Sequence, residues 1–62
     1  MTYVLQHKTT GHYCTVRPSQ EAFHHSPNLE DAFRFLHLAE AESERRKLEP
    51  FSGSWMAVQV EE

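Results

Sequence analysis

The pattern of apolar and polar positions opens with two stretches rich in β-branched and aromatic side chains. They are Tyr3-Val4-Leu5-Gln6-His7-Lys8 and His12-Tyr13-Cys14-Thr15-Val16-Arg17, and they predict the two strands of a hairpin. Lys8-Thr9-Thr10-Gly11 lies between them, with glycine where a left-handed residue would finish a tight loop. Two registers compete. A three-residue loop sets Lys8 opposite His12 and Leu5 opposite Thr15. A four-residue loop sets His7 opposite His12, Leu5 opposite Cys14 and Tyr3 opposite Val16. The second gathers Tyr3, Leu5, Cys14 and Val16 on one face and is preferred, because register decides which side chains are buried.

Residues 17–28 read as a connection punctuated by Pro18, Ser19, Ser26 and Pro27, with Phe23 anchoring it. A helix is then expected from Asn28 as N-cap, with Glu30 and Asp31 in its first turn. Arg45, Arg46 and Lys47 suit its negative end, and Pro50 stops it. Its apolar phase is broken. Leu29, Ala32, Phe33, Leu36 and Ala39 form one stripe, Leu38, Ala41 and Leu48 a second, and Phe35 lies between them. A kink near His37 would turn both stripes to one core. A straight helix would leave Phe35 and Leu38 outside the sheet-facing stripe.

Phe51-Ser52-Gly53 reads as a short return, and 54–61 as a strand in which Met56, Val58 and Val60 alternate with Trp55, Ala57 and Gln59. The expected fold class is α+β, in β-β-α-β order. One helix lies on a three-stranded antiparallel sheet of order 2-1-3, with parallel pairing of the last strand beside the second as the alternative.

Composition narrows the function. At 62 residues the chain is expected to be a single small domain over 1–62. With 39% hydrophobic residues it can fold, but such a domain buries only about 60% of its unfolded surface. A metal or self-association would support so thin a core, since one cysteine, Cys14, excludes an internal disulfide. A net charge of -3 argues against general affinity for nucleic acid or anionic membranes. No apolar run nears the roughly 20 residues of a membrane span, and no signal-peptide core follows Met1. A reducing cytoplasm is the expected setting.

Tyr3, Leu5, Thr10, Gly11 and Tyr13 form a Tyr-x-Leu…Thr-Gly-x-Tyr hairpin, followed by Glu30-Asp31-Ala32-Phe33-Arg34-Phe35, a charged helix and a terminal strand. In outline this resembles very small phage and prophage accessory proteins. The resemblance implies a cytosolic protein of a mobile element that binds and inhibits or redirects a host protein, and it supplies no catalytic residues.

Histidine is the compositional outlier, at positions 7, 12, 24, 25 and 37. His7 and His12, facing across the hairpin, could join His24, His25 or Cys14 around zinc. No Cys-x2-Cys or His-x3-His spacing supports this, so scattered surface histidines are expected and neither metal nor cofactor is assigned. Cys14 reads as an inward strand residue, an inert small hydrophobe rather than a nucleophile. Two glycines cannot build a phosphate loop. The chain is therefore expected to be non-catalytic. Tyr13 and Trp55 could stack bases on an open sheet face, but six basic against nine acidic residues give a weak footprint for nucleic acid. Protein binding fits best, with Tyr13, Trp55, Phe35 and Leu38 as anchors. A homodimeric accessory subunit is the alternative, ahead of a zinc-stabilised or single-strand-binding domain. The acidic run Glu40, Glu42, Glu44 reads as a solvated helix face, because steps of two do not line up on a helix.

Overall fold

The computed structural model describes residues 1–51 and 53–61. Its elements are β1 (Thr2–His7), β2 (Tyr13–Cys14), β3 (His25–Ser26), a 3-10 turn (Leu29–Asp31), α1 (Leu38–Leu48) and β4 (Trp55–Val60). The sheet is four-stranded, with order β3-β2-β1-β4 and every pairing antiparallel. The α+β class, the hairpin, the single helix and the place of the last strand beside β1 are as expected. One strand more is present. Ser52 of the expected return lies outside the described residues.

The four-residue loop sets the register. Gln6 pairs with Tyr13, and the His7 amide donates to the His12 carbonyl at 2.8 Å. Gly11 has φ of 77°, the left-handed value that closes this turn and disfavours any side chain there. The Gly11 amide returns to the His7 carbonyl.

The helix is shorter than its apolar positions suggest. It begins at Leu38 with His37 as N-cap, nine residues beyond the expected N-cap Asn28. Asn28 instead caps the 3-10 turn. There Ser26 Oγ donates to the Asp31 carboxylate, and the Arg34 guanidinium donates to the carbonyls of Leu29 and Ala32. The chain then runs extended beside β1. Phe33 N–H donates to Cys14 O, and Phe35 exchanges both backbone hydrogen bonds with Tyr3. β2 ends at Cys14, so the slot beside Tyr3 is filled by Phe35 rather than by Val16. The two stripes of different phase are thus an extended segment and a helix, and His37 marks their junction.

Side-chain alternation assigns the two faces of the sheet. Leu5, Cys14, Phe35, Trp55, Ala41 and Leu48 form the core beneath α1, with Tyr3, Val16, Phe33 and Ala57 packed against it. Trp55 lies opposite His7 and faces the helix, not the open side as expected. The physical reason is size: Ala57 and Ala41 let the helix approach closely, and the indole fills the space left under Leu48. The more aliphatic set, Met56, Val58 and Val60, points to the other face with Val4. Val4 is fully buried on that face.

The acidic run is not a uniform solvated face. Glu40 pairs with Arg17 at 3.2 Å and Glu42 with Arg45 at 2.9 Å. Glu44 is buried at 5% exposure. Its carboxylate accepts from the Ser19 amide (3.0 Å), the Ser19 hydroxyl (3.1 Å) and Lys47 (3.1 Å), tying the loop after β2 to α1. Burial alone would raise this carboxyl, but the Ser19 and Lys47 hydrogen bonds outweigh it and hold it below the ordinary glutamate range. A depressed folded pKa stabilises the fold above the ordinary value of about 4.3, and this is lost as pH falls through the folded value. Glu44→Gln should therefore cost about 1–3 kcal/mol at neutral pH, because the amide removes the charge facing Lys47 and turns an N–H2 donor toward part of the Ser19 and Lys47 donor set. Thermal unfolding across the acid range should show the gap to the parent closing as pH drops. A constant gap would reject this role for the charge.

Candidate functional site

Three elements bring aromatic rings together at one end of the core. Pro50 follows the last turn of α1, and the Phe51 amide caps back onto the Leu48 carbonyl at 3.0 Å. That turn leaves the Phe51 ring 88% exposed beside Leu48. Phe23 comes from the connection and meets Trp55 edge-on, with ring centroids 5.4 Å apart. Phe23, Leu48, Phe51 and Trp55 line an apolar concavity of about 80 Å³.

A histidine rim adjoins it. His7 ends β1, His12 precedes β2 and His25 opens β3, and with Thr10, Phe23 and Trp55 they line a second concavity of about 270 Å³. His7 meets Trp55 edge-on at 5.1 Å, and its Nδ1 accepts from the amides of Thr9 and Thr10. His12 and His25 share a hydrogen bond between their Nδ1 atoms at 2.8 Å, one ring donating and the other accepting. His24 points elsewhere, toward the Thr15 hydroxyl at 3.0 Å. The expected facing of His7 and His12 is present, but His25 rather than His7 is the ring that bonds His12. Among the described residues no three histidine, cysteine or acidic side chains are grouped to hold a metal ion.

Of the four expected anchors, Phe35 (1% exposed) and Trp55 (5%) are core residues. The alternation of β4 holds, but the helix covers its Trp55 face rather than the Met56 face, and Phe35 lies in an extended segment rather than on a helix. Tyr13 is half-buried on the opposite face of the sheet from Trp55, so the two rings do not make one stacking platform. Leu38 is exposed, but it lies at the far end of an 11-residue helix from Leu48, about 15 Å away at 1.5 Å per residue. The structure therefore brings together Phe51, Phe23 and the edge of Trp55, and leaves Tyr13 and Leu38 apart. Phe51 could have been flagged from the sequence: a bulky ring directly after a helix-stopping proline has no periodic partner to bury it.

Cys14, the only thiol, is buried, and its Sγ donates to the Val16 carbonyl at 3.1 Å. Burial pushes that thiol above its usual range, and the nearby Glu44 charge adds to the effect. A wider depression of about 490 Å³ between Tyr13, Leu29 and Arg34 is shallow and bordered by Asn28 and Glu30, so it offers less apolar surface to a partner. Among the described residues no helix is long and apolar enough to cross a membrane. Compared with family models, curated proteins and solved structures, the chain matches none.

Proposed function

We propose that the chain is a non-catalytic protein-binding module. It docks through the patch of Phe51, Phe23, Leu48 and Trp55, with the histidine rim beside it. The observation that supports this is Phe51, a phenylalanine at 88% exposure beside an apolar concavity. Exposed aromatics over apolar pockets are the usual anchors of protein contacts. The partner presents an apolar side chain to that concavity. In the form closest to the hairpin resemblance, the module belongs to a mobile element, works in the cytoplasm and inhibits or redirects a host protein.

The test is retention of a bacterial partner on immobilised chain, compared with Phe51→Glu and with Leu38→Asp. Both sites are exposed, so both variants should keep the parent's thermal transition. Phe51→Glu should weaken retention at least tenfold, about 1.4 kcal/mol, and Leu38→Asp should leave it unchanged. Equal retention by all three proteins would sink the assignment of this patch.

A further inference from the structure

The two edges of the sheet are built differently. β3 is two residues long and Pro27 follows it at once, so that edge offers little backbone to a newcomer. β4 is six residues long, Trp-Met-Ala-Val-Gln-Val, with neither charge nor proline. Its pairing with β1 shows which backbone groups remain at the outer edge. Lys8 N–H donates to Ser54 O at 2.7 Å, while Tyr3 and His7 make their backbone bonds on the opposite side, to Phe35 and His12. Antiparallel ladders alternate, so Met56, Val58 and Val60 bond to β1. Trp55, Ala57 and Gln59 then turn their N–H and C=O groups outward, with no backbone partner among the described residues.

We propose that β4 pairs edge to edge and antiparallel with β4 of a second copy of this chain, about a two-fold axis at Val58. A two-fold axis normal to a sheet sets a residue opposite itself, and Val58 is the position that matches best. It places Val58 against Val58, Met56 against Val60 and Ala57 against Gln59. The first two are apolar pairs on the open face, where cross-strand β-branched contacts favour pairing. Ala57 and Gln59 exchange the outward hydrogen bonds. Antiparallel pairing also sets the Glu61 carboxylates at opposite ends of the joint, so no like charges meet. The joint uses both β4 edges and leaves only the two guarded β3 edges, so assembly closes at a dimer rather than running on as a fibre. It extends the face of Met56, Val58 and Val60 across the axis, and it supplies the support so small a core needs. The surface is distinct from the Phe51 patch, and the proposal goes beyond the docking function above.

Sedimentation of the full chain over a wide concentration range should show mass rising from 7.3 kDa to twice that value. Amide exchange read by NMR should slow at Trp55, Ala57 and Gln59 with concentration, while Met56, Val58 and Val60 stay protected throughout. A chain made by total synthesis with an N-methyl group on Ala57 should stay monomeric and keep the dilute parent's thermal transition, because that amide serves no bond within the chain. A single mass at all concentrations would overturn the proposal. So would doubling without slower exchange at those three amides, or undiminished dimerisation of the N-methyl chain. Should the N-methyl chain fail to fold, the exchange data on the unmodified chain decide alone. Phe51→Glu leaves the mass unchanged, which separates failure of this pairing from failure of the docking patch.

Discussion

Phe35→Ala should remove about 3–5 kcal/mol, the range for truncating a buried phenylalanine. Domains of this length hold only about 3–9 kcal/mol in all, so the variant should lose about a third or more of its stability. The size of the effect follows from position. Phe35 is 1% exposed and sits in the core with Leu5, Cys14 and Ala41. Its ring lies 4.9 Å from that of Phe33, and the Arg17 guanidinium lies 5.7 Å from its centroid. Its backbone also completes the ladder beside Tyr3, which packing loss would loosen. Urea unfolding followed by far-UV circular dichroism measures this. The neighbouring Leu36→Ala, at 72% exposure, should stay within about 0.5 kcal/mol of the parent. Equal midpoints for the two variants would mean that 32–37 is helical after all, with its phase set by Leu36.

Trp55→Ala is the second large effect, again about 3–5 kcal/mol. The indole is 5% exposed, closes the core under Leu48, and meets His7 and Phe23 edge-on. Its loss opens the floor of both concavities, so Phe23 and the histidine rim lose their support together. Trp55→Phe keeps an aromatic floor and should cost less than half as much. This is the chain's single tryptophan, so parent emission should be blue-shifted when folded and move to the red on unfolding. Red emission from the folded parent would place the ring in solvent, as the alternation of the last strand first suggested.

The hairpin was legible because its determinants are local. Gly11 names the turn, and the grouping of Tyr3, Leu5, Cys14 and Val16 selects one of two registers. The first half of the expected helix was misleading for the same reason. Asn28, Glu30 and Asp31 carry capping signals that a single 3-10 turn satisfies as well as a helix does. What decides against the helix is the bare edge of β1 beyond Cys14, which claims Phe35 and lies thirty residues away in sequence. The phase break at His37 was the one local trace of that competition. Two-residue β3 has no periodicity to detect. Glu44 is buried by the Ser19 backbone, which a charge pattern along one helix does not contain. Phe51 and Phe23 line one concavity only because the helix end and the connection converge on Trp55. The contact patch therefore depended on the fold being known first.

The pairing of β1 with β4 also sets the order in which the chain can fold. β1 is the second strand in from the open edge, and its partners are residues 13–14, 35 and 55–60. The hairpin contact closes a short loop, on a timescale of about 1–10 μs. The β4 contact joins residues 48 to 58 positions apart, and such distant pairing raises the barrier to folding. On the ribosome the hairpin emerges before the helix, with Leu5 and Cys14 bare, and stays so while the helix is made. Trp55, which finishes the core, follows Cys14 by 41 residues. Until then the nascent chain carries an unpaired β1 edge and an uncovered apolar face, so its most exposed interval lies between the making of the hairpin and the making of β4.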